Sequence, residues 1–326
     1  MPDGQPKNLS AGPCAPVDLS VVIPAYNEEE NIPVIFSKLQ AVLGAMGKTF
    51  EIIFVDDGSA DASLRRMLDI RQRTPGVRVF GLRRNMGKSI ALATGFKHAV
   101  GENVVTLDAD YQEPPEAIPD LIACLETGYD LVSGWRQTRR DPLTKVWSSK
   151  IFNWLVRKIA HTSIHDVNCG FKIYKKEVIK NIRLYGGLHR VIPVLAERAG
   201  YRVGEIVVAH RAREHGETKF RGIFRGLHGI FDLLTVLFLS SYHKRPLHFF
   251  GMAGLVLLLF GLAINAFLTF RYFLGIGFIG ERIPLLMLGI LSMLLGFQSF
   301  CLGLLGEMLV RRNLEASKEP DEEIPL

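Results

Sequence analysis

Asp108-Ala109-Asp110 follows directly on the apolar run Val104-Val105-Thr106-Leu107. A buried strand that ends this way presents two carboxylates at its carboxyl edge, which is where open α/β sheets place their ligands. Two carboxylates so close repel each other unless a divalent cation joins them. Mg2+ usually takes one or two carboxylates together with phosphate oxygens. An Asp-x-Asp pair on its own reads equally well as a polar turn. Three further clusters tip the balance. Pro24-Ala25-Tyr26-Asn27-Glu28 closes a run that starts at Leu19, Asp56-Asp57-Gly58-Ser59 closes a run that starts at Glu51, and Lys88 stands beyond a run from Val77. Donors, acceptors, an aromatic ring and a cation on four consecutive loops suit a nucleotide, with a base to stack, a diol to bind and a diphosphate to neutralise.

The elements that must position these groups follow from periodicity. Short apolar runs at 19–23, 51–55, 77–82, 103–107 and 130–133 read as strands, the first stopped by Pro24. Between them 32–43, 63–73, 89–100 and 117–126 carry helical spacing. Strands alternating with helices predict an α/β fold with a doubly wound, mostly parallel sheet. Beyond Arg136 the pattern loosens. Helices are expected over 146–159 and 191–200, and strands over 170–174 and 202–207. Over 220–239, Ile223, Phe224, Leu227, Ile230, Phe231, Leu234 and Phe238 share one helical face, which suits a helix in a membrane interface or one packed on the domain.

The last quarter concentrates the apolar residues that raise the hydrophobic share to 48%. Leu247 to Phe270 carries no formal charge, and neither does Pro284 to Gly306. Each reaches the roughly 20 residues that a membrane-crossing helix needs. Lys244 and Arg245 precede the first and Arg311 and Arg312 follow the second, so both ends are expected on the cytoplasmic side of the inner membrane. Gly289, Ser292, Gly296, Ser299, Gly303 and Gly306 share one face of the second, a surface for close packing on the first span or on a sister subunit. Residues 1–17 lack an apolar core and read as a flexible tail rather than a signal peptide. The expected organisation is therefore a catalytic domain over 18–219, an amphipathic region over 220–243, two spans within 244–312 (about 247–270 and 284–309), and an acidic tail over 313–326.

The net charge of +6 is concentrated in a basic group before the first span, which points to an anionic membrane surface rather than nucleic acid. The four cysteines show no paired spacing, so no zinc site or disulfide framework is expected. No dinucleotide fingerprint follows the first strand. The literal Gly-x-Gly-x-x-Gly at 275–280 lies between the spans without a preceding strand, and no Walker A run occurs.

Taken together, 21–28 (VVIPAYNE), 55–59 (VDDGS), 85–88 (NMGK), 108–115 (DADYQEPP) and 168–172 (NCGFK) resemble family-2 inverting glycosyltransferases of the GT-A fold. Within that family the chain is similar to the polyprenyl-phosphate glycosyltransferases, a branch that includes dolichol-phosphate mannose synthases and bactoprenol glucosyltransferases. The resemblance covers about 19–224. It implies that Pro24, Tyr26, Glu28, Val55 and Asp57 line the nucleoside site. Asp108, Ala109 and Asp110 would form the Asp-x-Asp element, with Asp110, helped by Asp108 and Gln112, holding Mg2+ or Mn2+ on the diphosphate. Lys88 joins the donor site. Arg136 matches a basic position near the donor. Arg213 and Lys219 match a phosphate-gripping Arg-x5-Lys loop, in which Thr218 replaces the usual Ser. Asp166 falls where related transferases carry an acidic catalytic residue, although a turn Asp is an equal reading.

The expected activity is transfer of one sugar, glucose from UDP-glucose, to a polyprenyl phosphate such as undecaprenyl phosphate. The family resemblance further suggests a homo-oligomer, a tetramer. GDP-mannose, or a UDP-linked amino sugar, as donor is one alternative. A processive polysaccharide synthase is another, against which stands the absence of a Gln-x-x-Arg-Trp motif. A non-catalytic membrane scaffold is the third, and it predicts loss of Asp or Arg/Lys pairs that are all present.

Overall fold

A computed structural model describes residues 17–138, 143–160, 162–211, 246–275 and 279–316. The 1–16 tail, Arg213, Lys219, the 220–243 region and the last residues of the acidic tail lie outside the described residues. The chain divides into two compact units on either side of Val236 and Leu237.

The first unit alternates strands and helices as expected. Its elements in order are β1 (Leu19–Ala25), α1 (Asn31–Ala45), β2 (Phe50–Asp56), α2 (Ser63–Arg73), β3 (Val77–Gly81), α3 (Lys88–His98), β4 (Asn103–Thr106) and α4 (Ile118–Glu126), followed by β5 (Leu131–Trp135) and α5 (Leu143–Ala160). Then come β6 (Lys172–Lys175), α6 (Lys176–Asn181), α7 (Ile192–Arg198) and β7 (Val203–Val207). They form one seven-stranded sheet in the order β3-β2-β1-β4-β6-β5-β7. All pairings are parallel except those of β6, which runs against both β4 and β5. The central strands are continuous apolar runs because both faces are covered: Val21, Val22, Ile23, Ile53, Phe54, Val104 and Val105 are all fully buried.

One boundary differs instructively. Pro24 was expected to stop β1, yet β1 continues to Ala25, with Pro24 in register with Val55. In a parallel pair, successive residues point their backbone groups to opposite neighbours. Ala25 O accepts from Asp57 N on the β2 side, and Val22 O accepts from Leu107 N on the β4 side. Pro24 therefore faces the β4 side. There the ladder has already ended at the Val22–Thr106 pair, so the missing N–H costs no bond.

In the second unit, α8 (Pro246–Phe273) and α9 (Ile283–Ala316) pack side by side. Both are long and apolar enough to cross a membrane. The small residues of α9 face α8. A Cβ on Gly289 would meet the Asn265 side chain, one on Gly296 would lie 2.6 Å from Gly254 O, and one on Gly306 would lie 2.8 Å from Pro246. Ser299 Oγ donates to Phe250 O at 3.0 Å. Small residues thus let the two backbones touch. That face is taken up within the chain, so it gives no footing for a sister subunit.

Candidate functional site

The sheet order reverses between β1 and β4, because β1 leads on to β2 and β3 while β4 leads the other way. At such a switch point the two exit loops diverge and leave a crevice at the carboxyl edge. The exits of β1, β2, β3, β4, β5 and β7 all open on that edge. They bring Tyr26 and Glu28, Asp57, Lys88, Asp108 with Asp110, Arg136, and Arg211 to one side of the sheet.

The centre of the site is a carboxylate cluster. One oxygen each of Asp108, Asp110 and Glu113 lies within 4.8 Å of the others. Cations bind its flanks. Lys88, at the first residue of α3, places Nζ 2.5 Å from Asp108 Oδ1. Burial pushes the Asp108 carboxyl up, but Lys88, Arg136 and Lys172 outweigh it and hold the group below the usual range. Arg136, just past β5, spans two loops. Its Nε and Nη2 meet the two Asp166 oxygens at 2.7 and 3.2 Å, and its Nη1 meets Glu113 Oε1 at 3.2 Å. Burial works against that guanidinium charge, and the anionic groups around it keep it fully protonated. Glu113 pays for its position: burial, with Asp108 and Asp110 adding repulsion, pushes it up to about 7 despite Arg136.

Gly170 makes room for Asp108. A Cβ there would stand 2.6 Å from Asp108 Oδ2 and 2.7 Å from its Cγ. Gly170 cannot easily retreat, because its carbonyl accepts from Thr106 Oγ1 at 2.8 Å. The β4 exit also carries Tyr111 at a positive φ of 54°. Its hydroxyl accepts from Arg211 Nη1, and the Arg211 guanidinium lies 4.8 Å over its ring. Arg211 N in turn donates to Gln112 O at 2.8 Å, which ties the β7 exit to the Asp-x-Asp loop.

On the other flank Asp57 clamps the β3–α3 loop. Its oxygens accept from Met86 N at 2.7 Å and Gly87 N at 3.0 Å. Gly58 has φ +69°, and a Cβ there would lie 2.4 Å from Arg84 C, so only glycine fits. Glu28 accepts from Asn31 Nδ2 at 2.6 Å, and its own N donates to Ser63 Oγ.

Among the residues expected in the site, Pro24, Tyr26, Lys88, Asp108, Asp110 and Gln112 are half-buried at this edge. Val55, Ala109, Glu28 and Asp57 are buried at the same edge. Arg136 and Asp166 are engaged with each other, so the basic position near the donor is a clamp between loops before it is anything else. Trp135 is stacked on His165 at 4.3 Å.

Several residues escaped the sequence reading. Glu113 stands three places past Asp110, inside the 108–115 motif, where the sequence assigns roles to its neighbours and none to it. Lys172 is buried on β6 and donates to Cys169 O, and burial lowers it to about 8. His189 packs on the start of α3, with Nδ1 2.9 Å from Ser89 Oγ. No spacing rule links residues so far apart. The oxygen-only donor set and the 4.8 Å span fit a hard divalent cation such as Mg2+ or Mn2+.

Comparison with known proteins places the chain in a family. Residues 20–183 match the profile of "Glycosyl transferase family 2". The chain is 36% identical over 314 residues to dodecaprenyl-phosphate galacturonate synthase of Rhizobium johnstonii, covering 95% of this chain and 92% of that protein. It is 36% identical over 321 residues to undecaprenyl-phosphate 4-deoxy-4-formamido-L-arabinose transferase of Edwardsiella ictaluri, covering 94% and 96%. Among solved structures, glucosyl-3-phosphoglycerate synthase from Mycobacterium tuberculosis, in complex with Mn2+ and UDP-glucose, superposes with a TM-score of 0.53. At 21% identity over 69% of this chain and 79% of that one, it shows a shared fold.

Proposed function

The chain belongs to glycosyl transferase family 2, and from that premise we propose that it moves one sugar from a nucleotide-diphosphate donor to a polyprenyl phosphate, with inversion at the anomeric carbon. The observation that carries the proposal is the Asp108–Asp110–Glu113 cluster at the switch-point crevice, flanked by Lys88 and Arg136. The two relatives named for polyprenyl-phosphate chemistry and the two apolar helices support a lipid acceptor at the inner membrane; the basic residues Lys244, Arg245, Arg311 and Arg312 beside the spans favour the catalytic unit on the cytoplasmic side.

In this reading an oxygen of the lipid phosphate attacks the anomeric carbon. The bond from that carbon to the diphosphate breaks, and its electron pair leaves with the nucleoside diphosphate. A phosphate monoester with a second pKa near 6 is already largely ionised at neutral pH, so the acceptor needs positioning more than deprotonation. Arg213 and Lys219 are the cations assigned to it. Negative charge grows on the leaving diphosphate, and fixed positive groups aimed there lower the barrier. Asp108 and Asp110 would hold the divalent cation, Mg2+ or Mn2+, that supplies most of that neutralisation. Lys88 adds an ammonium beside it. Tyr26 and Pro24 receive the base, Asp57 shapes the loop around the diphosphate, and Asp166, fixed by Arg136, faces the sugar.

The donor proposed from the sequence is UDP-glucose. The relatives named for galacturonate and for 4-deoxy-4-formamido-L-arabinose make nucleotide forms of those sugars its direct competitors, and GDP-mannose completes the panel. The test incubates membranes containing the full chain with each labelled nucleotide sugar and undecaprenyl phosphate, then weighs the lipid fraction by mass spectrometry. One donor is expected to yield a monoglycosylated lipid phosphate. Failure of every donor, with the fold intact, overturns the proposal. Lys219→Ala is expected to raise the KM for the lipid and leave that for the nucleotide sugar within twofold.

A further inference from the structure

We infer that Glu113 is a third ligand of the divalent cation, and not only the anchor of Arg136. The inference rests on the reading that Asp108 and Asp110 hold such a cation. Three observations carry it beyond that pair.

The first is an orphaned atom. Glu113 is 1% exposed, and Arg136 uses only its Oε1. Its Oε2 is fully enclosed and has no hydrogen-bond partner among the described residues. A buried carboxylate oxygen without a partner carries a desolvation cost, and native proteins rarely leave such an atom uncompensated. If Glu113 served only to hold Arg136, nothing would compensate that second oxygen.

The second is distance. Oxygens on opposite vertices of a Mg2+ octahedron stand about 4.2 Å apart, given bonds of about 2.1 Å. The three carboxylates already lie within 4.8 Å. Adjacent vertices stand about 3.0 Å apart, and at most one pair among three ligands can be opposite, so closing the site around an ion takes movements of about an ångström, within the reach of side-chain rotation.

The third is charge. Asp108 is committed to Lys88 at 2.5 Å, so its negative charge is partly neutralised before any metal arrives. Asp110 and Asp108 alone would then offer a divalent ion a net charge near −1. Glu113 adds to it, because the Arg136 that neutralises part of its charge is itself shared with Asp166. The buried Pro114 and Pro115 that follow it, and Arg136 on its other oxygen, fix it in place, so its use as a ligand loses little side-chain entropy.

The test measures Mn2+ alone, without nucleotide or turnover, on the detergent-solubilised full chain at pH 8. The six-line electron paramagnetic resonance signal of free Mn2+ gives the dissociation constant. Glu113→Gln is expected to weaken binding at least tenfold, with the melting temperature retained. Glu113→Asp, which keeps the charge with a shorter reach, is expected to fall between the two and serves as the readout if Glu113→Gln does not fold. If Glu113→Gln and Glu113→Asp bind Mn2+ within twofold of the parent while Asp110→Ala loses it, Glu113 is only an anchor and the inference is overturned. If Asp110→Ala also keeps Mn2+, the cation site itself is misplaced and both readings fall.

Discussion

Gly170→Ala tests whether the position of Asp108, rather than its mere presence, sets the rate. The new methyl would stand 2.6 Å from Asp108 Oδ2 and 2.7 Å from Cγ. Relaxed contact between carbon atoms begins near 3.5 Å, so the carboxyl must retreat by about 0.8 Å. The backbone offers little give, because Thr106 Oγ1 holds Gly170 O on the other side. Asp108 is short, half-buried and not part of the apolar core. The stability cost should therefore fall at the low end of overpacking, about 1 kcal/mol, a shift of a few degrees in melting temperature. The catalytic cost should be far larger. Displacing a group by about 1 Å at a reacting centre costs on the order of 100-fold in rate. It also pulls Asp108 out of register with Lys88 and the other two carboxylates. The assay compares kcat for sugar transfer, followed by lipid mass, with thermal unfolding of the same sample. Gly44→Ala is the control: it lies in α1, a Cβ there meets nothing within 4 Å, and it should leave kcat unchanged and raise stability by about 0.5–1 kcal/mol. A Gly170→Ala enzyme with kcat within twofold of the parent would refute the reasoning. So would a loss explained wholly by unfolding.

Asp110→Ala should abolish transfer, by more than 100-fold, with the fold retained; normal turnover in isolated membranes sinks its assigned role. Asp57→Ala strips the acceptor from Met86 N and Gly87 N and should raise the KM for the nucleotide sugar several-fold while lowering the melting temperature, whereas an unchanged KM would assign Asp57 a purely structural part. Stability against pH should show two opposing slopes. Burial, with Lys88 and Arg190 adding repulsion, pushes His189 down to about 3 from 6.5, so between those values the unfolded chain binds a proton that the fold refuses, and stability falls as pH falls. Burial raises Glu113 from 4.5 to about 7, so between those values the fold keeps a proton that the unfolded chain releases, and stability falls as pH rises. Each slope has an upper limit of about 1.4 kcal/mol per pH unit. Across pH 4.5–6.5, His189→Gln should therefore gain stability on acidification relative to the parent and Glu113→Gln should lose it; melting curves showing the reverse order would refute the assignment.

What the sequence made legible divides along a physical line. Apolar runs and their terminating carboxylates report which residues share a face and where a strand ends, and these placed Asp57, Lys88, Asp108 and Asp110 on one edge before any coordinates. The parallel core was equally plain, because Val21 to Ile23 and Val104 to Leu107 are apolar without alternation. The extension of β1 through Pro24 was hidden, since it depends on β4 ending two residues earlier, a fact about a neighbour 80 residues away. The reversal of β6 was hidden for the same reason. The strand itself was expected, but its direction is fixed only when Val105 meets Ile173 in register. The partnerships of charge were the least legible. Arg136 reads as a free cation in the sequence, yet Glu113 and Asp166 claim it from 23 and 30 residues away, and Ser89 meets His189 across 100. Periodicity assigns a side chain to a face and is silent on which opposite charge stands across the crevice. That silence bears on function here. The residue that distinguishes a two-carboxylate site from a three-carboxylate one, Glu113, was visible in the chain all along. Its candidacy as a ligand comes from the fold, where one of its oxygens is tied to an arginine and the other to no partner among the described residues.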